Sequence, residues 1–183
     1  MRKFLAIILP LLCILIASCV RSFYPLYTDK DLVLNQMLVG TWADNENNTW
    51  MFQQGKGKSY ELVYTEKQSP AKFKAHLVKL GKYHFLDLAP EEPGIDNSFF
   101  AAHLIPVHTF SRVWIAPDSI RLSLFDNGWL RDMIQKKKIM IPHERQGDGI
   151  ILMAPTKELQ KLVIKYAEDP KAFPRPGVLR RKQ

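Results

Sequence analysis

Eight short runs rich in aromatic and β-branched side chains recur between residues 40 and 154, each closed off by turn-forming residues: "GTWA", "TWMFQQ", "SYELVYT", "FKAHLVKLG", "KYHFLDLA", "AHLIPVHTFSRVWI", "SIRLSLF" and "GIILMA". Runs of this length and spacing predict an antiparallel meander that closes into a small barrel or a strongly curved sheet. Two connections are explicit enough to set a register. In "KLGKYHF" a Gly81-Lys82 loop has the glycine-first chemistry of a type II′ turn. Leu80 then faces Tyr83, Val78 faces Phe85 and His76 faces Asp87, while Leu77 and Leu86 share the opposite face. In "APDS", Pro117 presets the turn and Asp118 closes it. That pairs Ile115 with Ile120 and Val113 with Leu122 on a core face, and sets Trp114 beside Arg121 for a cation–π contact outside it.

Two helices interrupt the strands, so the expected fold is mainly β with one helix before the last strand and one after it. "DNGWLRDMIQKKK" places Trp129, Leu130, Met133 and Ile134 on one side, with Asp126 or Asn127 as N-cap and Lys136 to Lys138 at the negative end of the helix dipole. "PTKELQKLVIKYAED" has Thr156 as cap, Leu159, Leu162, Val163, Tyr166 and Ala167 at helical spacing, and Pro170 as its stop. The organisation that follows has a tether over residues 19–38, a β domain with its C-terminal helix over 39–169, and a basic, proline-rich tail over 170–183 that is expected to be flexible or loosely laid on the surface. The tether, "VRSFYPLYTDKD" at its start, reads as an extended segment that docks on the domain.

At the N-terminus, Arg2 and Lys3 precede an apolar run from Phe4 to Ala17, the layout of an export signal. The run is short for a spanning helix, which needs about twenty residues. Its close, Ile16-Ala17-Ser18-Cys19, resembles the lipobox of bacterial lipoprotein precursors. That resemblance implies a signal peptide over residues 1–18, cleavage before Cys19, and fatty acylation at the Cys19 thiol and amino group. Several chains are needed, since each buried methylene contributes about 0.8 kcal/mol and one chain holds only marginally. The implied partner is therefore a lipid bilayer, reached through acylated Cys19. The implied location is the cell envelope, at the outer membrane facing the periplasm where the source has two membranes. Cys13 leaves with the signal and Cys19 is consumed, so no thiol remains for disulfides, catalysis or metal. The formal charge of +8 falls by Arg2 and Lys3 on processing. A basic envelope domain suits anionic lipid; nucleic acid is not an expected partner, because export separates the two and no recognition motif accompanies the charge.

Gly40-Thr41-Trp42 opening the first strand, the eight-stranded meander and the late helix together resemble the lipocalins and related calycins. The resemblance implies that Trp42 closes one barrel end, that the strands enclose an apolar cavity, and that the C-terminal helix packs outside. The segments "GTW", "AHLVKLG", "FLDL", "HLIPVHTFSRV" and "APTKELQ" also resemble a family of bacterial lipoproteins with no assigned activity.

The catalytic inventory is thin. There is no "HExxH", no "GxSxG", no phosphate-binding glycine loop, and nothing that implies a cofactor. His103 and His108 invite a metal site, but their odd separation sends them to opposite faces of a regular strand, so only a bend at Pro106 would bring them together. His76 and Asp87 read as a structural ion pair rather than part of a dyad, and a hydrolase built from folded-together His and Asp residues is the least favoured class. Two readings stand side by side: a binding module for a small apolar or amphipathic molecule, and an interaction or envelope-assembly protein with a filled barrel. For the binding module the expected pocket opens opposite Trp42, with the helix around Trp129 as lid and Tyr60, Tyr64, Phe73, Tyr83, Phe85, His108 and Phe110 as lining. Trp50, Phe52, Tyr60, Leu62 and Tyr64 serve equally as pocket wall or solid core.

Overall fold

The computed structural model describes residues 19–91 and 96–182. In chain order the strands are β1 (Arg21–Ser22), β2 (Gly40–Ala43), β3 (Thr49–Gln54), β4 (Tyr60–Glu66), β5 (Ser69–Leu80), β6 (Tyr83–Pro90), β7 (His108–Ile115), β8 (Ser119–Leu124), β9 (His143–Gln146), β10 (Gly149–Leu152) and β11 (Gly177–Arg181). The helices are α1 (Ser98–Ala101), α2 (Asn127–Gln135) and α3 (Thr156–Tyr166). Strands β2 to β8 form the expected antiparallel meander, and β11 sits between β8 and β2 to close an eight-stranded barrel. The remaining strands extend the sheet beyond β7: β1 pairs with β7 antiparallel and with β10 parallel, and β9 is the outer edge.

Both hairpins have the registers derived above, including His76 opposite Asp87 and Trp114 opposite Arg121. Gly81 holds φ at +61°, which the glycine-first turn requires. Leu77 and Leu86 are both buried in the barrel interior. Arg121 lies 5.3 Å from the Trp114 ring centroid, and Arg112 lies 4.6 Å from it. The long run "AHLIPVHTFSRVWI" is a strand only from His108 onward; Pro106, with no N–H to give a ladder, falls in the preceding loop.

The closing strand differs from expectation. Gly149–Leu152 does not complete the barrel, and the tail expected to be flexible does so instead. The prolines of "AFPRPG" carry the chain from α3 back to the barrel: Ala172 and Phe173 are buried, the Asp126 N–H donates to the Ala172 carbonyl, and the Ser123 hydroxyl donates to that of Pro174. Val178 and Leu179 then pair with β8, and Leu179 enters the interior.

Two apolar layers result, because β5, β6 and β7 are apolar at both parities and so are buried on both faces. Leu38, Trp42, Phe52, Tyr60, Leu62, Ala75, Leu77, Leu86, Val113, Ile120 and Leu179 fill the barrel. Val78, Leu80, Phe85 and Phe110 point the other way, to the outer wall, where α2, α3 and residues 20–32 cover them. On α2, Asp126 caps as expected, accepting from the Trp129 N–H at 2.6 Å, and Leu130 is buried. Thr156 does not cap α3; its hydroxyl donates to the Pro25 carbonyl at 2.8 Å and binds the N-terminal segment to the helix.

One barrel end is sealed. A single helical turn over Gln36–Leu38 inserts Leu38, whose carbonyl accepts from Trp42 Nε1 at 2.9 Å. The Arg181 guanidinium stacks 4.1 Å above the Trp42 ring and donates to the carbonyls of Met37, Val39 and Pro117. Gly40 makes room for it: its φ is +135°, and a Cβ there would stand 2.4 Å from Arg181 Nη1.

Candidate functional site

The outer wall of β5–β7 carries one buried polar cluster, and the N-terminal segment closes over it. Asp87 on β6 is fully buried. One carboxylate oxygen pairs with His108 Nδ1 at 2.7 Å, and the other accepts the Leu26 N–H at 2.8 Å. His76, directly across the ladder, is not the ion-pair partner expected for Asp87; its ring packs against Tyr27 at a centroid distance of 4.2 Å. A carboxylate reaches diagonal neighbours as readily as direct ones, and the imidazole of His108 meets Asp87 from the diagonal position on β7. The segment above is held by further bonds. Gln160 on α3 donates to the Leu26 carbonyl and to Asp31, and the Val33 N–H donates to the Leu77 carbonyl.

Burial sets the electrostatics. It pushes the Tyr27 hydroxyl up to about 12, helped by the carboxylates of Asp87 and Asp29. It also lowers His76 below its ordinary value, against the opposing pull of Asp87. His84 is lowered too, by burial first and then by Lys79. A histidine held neutral by folding takes up its proton more readily when unfolded, so its stabilisation is present above the unfolded value of about 6.5 and is lost as pH falls toward the folded value. The melting temperature should therefore drop between pH 7.5 and pH 5.5. His76→Gln should drop less over the same interval, as read by circular dichroism; an equal drop would show that His76 contributes nothing to it.

The cluster has the carboxylate–imidazole half of a hydrolytic triad. Ser22, the register partner of His108 across β1 and β7, is fully buried and gives its hydroxyl to the Tyr24 carbonyl at 2.8 Å. The arrangement joins the N-terminal segment to the barrel. His103, raised with His108 as a possible metal pair, is exposed in the loop before β7, with Nδ1 bonded to the Phe99 carbonyl.

The seven residues expected to line one pocket divide between the two layers. Tyr60 and Phe73 belong to the barrel interior, with Trp50 and Tyr64 in ring contact at 4.8 Å on neighbouring strands. Tyr83, Phe85 and Phe110 belong to the outer layer, and His108 to the polar cluster beside it. Strand parity separates them, so they cannot surround a common cavity. Trp129 packs on Phe125 and Tyr166 in the outer layer and so does not lie over a barrel mouth. Two hollows lie on the outer surface. One of about 240 Å³ is flanked by Lys138, Lys161 and Lys165, and one of about 170 Å³ by Lys56, Glu61 and Lys74.

Cys19 is half-buried and pairs in a single bridge with Asp126. Its thiol is raised by burial, an effect that Arg21 opposes and Asp126 reinforces, which makes it a poor nucleophile as a free group. Sequence reasoning missed Leu26, Tyr27 and Ser22, because backbone donors and ring stacking from a non-local segment leave no spacing signal. No protein-family model, no curated protein and no solved structure matches the chain.

Proposed function

We propose that the chain is a lipid-anchored envelope protein whose barrel is a filled scaffold, acting through its outer surface on a partner rather than on an enclosed small molecule. The observation that carries this reading is the packing of the interior: Leu38, Trp42, Ala75, Leu86 and Ile120 have no solvent exposure, and Phe52, Tyr60, Leu62 and Leu77 have 1% each. The large rings of Trp42, Phe52 and Tyr60 pack into this interior from neighbouring strands, and Leu38, Trp42 and Arg181 close one barrel end. The anchor half of the proposal rests on the lipobox resemblance at Cys19.

One observation favours the second reading, a small-molecule site inside the barrel. Nε1 of Trp50 is buried with no hydrogen-bond partner among the described residues, and an unpaired buried donor costs about 1–3 kcal/mol. A ligand with an acceptor atom would relieve it.

The anchor is tested directly by Cys19→Ala in a host that processes lipoproteins. Radioactive fatty acid should label the native chain and not the variant, which should accumulate as an unprocessed or soluble form. Equal labelling of the two would remove Cys19 as the attachment point.

A further inference from the structure

We infer that the exposed face of β1 and β10 is a membrane-docking surface that lies flat on the bilayer holding Cys19. The inference rests on the lipid-anchor reading and adds a protein-side contact to it.

Strand alternation gives β1 and β10 one covered and one open face. Val20, Ser22, Ile150 and Leu152 turn inward and are at most 1% exposed. Cys19, Arg21 and Phe23 alternate onto the other face, beside Ile151 of β10 and Met153 just after it, since Arg21 is paired with Ile151 and Ser22 with Leu152. The attachment point, a cation and an aromatic ring thus form one stripe. Arg21 reaches across the bare backbone of Gly149 to bond Gln146, and Glu144, opposite Ile151, marks the acidic margin.

The stripe continues into the loop before β7. His108 lies opposite Ser22, so the chain leading into β7 runs beside Phe23. That loop exposes Ile105 at 65%, and Phe23 itself is 38% exposed. Exposed apolar side chains gathered on one face mark an interaction surface, and aromatic and aliphatic groups beside a cation are what an interfacial bilayer contact uses.

The bilayer is the occupant because the anchor has no slack. Val20 is already packed in the fold, with its N–H donating to the Phe125 carbonyl at 3.3 Å. Phe23 is four strand residues from Cys19, about 13 Å at the usual rise. Acyl chains on Cys19 enter the membrane at the foot of this stripe, and a short rigid connection brings the stripe to the headgroups with them.

Acylation consumes Cys19 and processing removes Cys13, so one introduced cysteine is the single thiol of the mature protein. The test labels Ile105→Cys, Phe23→Cys and, at the sealed barrel end, Met37→Cys with a thiol-reactive NBD dye, in the acylated protein reconstituted into vesicles of phosphatidylethanolamine and phosphatidylglycerol. Dyes at positions 105 and 23 should brighten severalfold and be quenched by brominated acyl chains, while the dye at position 37 stays in water. The native protein should take no label. Labelling of the native protein would show a free Cys19 and defeat the anchor reading. An unlabelled native protein with water-exposed dyes at 105 and 23 would overturn the docking surface.

Discussion

Ending the chain at Pro176 should abolish cooperative unfolding. Residues 177–181 supply the strand between β8 and β2, so their loss leaves two ladder edges unpaired, withdraws Leu179 from the interior and removes Arg181 from the face of Trp42. Each backbone hydrogen bond is worth about 1 kcal/mol net, a buried leucine about 1.5–3 kcal/mol, and a domain holds only about 5–15 kcal/mol in all. The truncated chain should show no sigmoidal melt by circular dichroism and no dispersion in its amide spectrum. A melt within a few degrees of the full chain would show that the barrel closes without β11.

Asp87→Ala carries the second large effect. The substitution leaves the buried Leu26 N–H without its acceptor and takes away the hydrogen-bond partner of His108, and an unsatisfied buried donor costs about 1–3 kcal/mol. Urea denaturation should register a loss of that size. It should also expose residues 20–38 to protease, because Asp87 is one of the groups fastening them. Asp87→Asn keeps an acceptor for Leu26 and should lose less. A loss below about 1 kcal/mol for the alanine variant, the range of exposed pairs, would mean that the segment is held elsewhere.

The parts of this fold that were legible in the sequence are those fixed by local chemistry. Gly81-Lys82 and Pro117-Asp118 define two-residue turns, and a turn plus strand parity sets every pair along its hairpin. Asp126 announces α2 by its position ahead of an apolar helical stripe. The illegible parts were non-local. Parity alone could not say which face of β5–β7 is the barrel interior, since Leu77 and Val78, or Phe85 and Leu86, are equally apolar and both faces are in fact buried. The lining expected for a single pocket consequently mixed two layers.

The closing strand was hidden for a different reason. "AFPRPGVLRRKQ" reads as a solvated tail by composition, yet its basic residues have work at an open edge: Arg181 covers Trp42, and Arg180 pairs across to Ala43. The candidate site was half legible. The turn placed His76 against Asp87 as strand partners, but the carboxylate is satisfied by His108 and by a backbone donor from a segment 61 residues away in sequence. Only the fold brings that donor to Asp87.

On the reading proposed above, the barrel is solid and the protein works from its surface. Native mass spectrometry of the mature domain, with Cys19 replaced by Ser and the protein purified without detergent, tests it most directly. The expected result is a single species at the mass of the polypeptide, unchanged when a fluorescent fatty-acid probe is offered. A co-purifying small molecule that survives gentle activation, or stoichiometric uptake of the probe lost on Trp50→Phe, would contradict it and return the barrel to the ligand-binding reading.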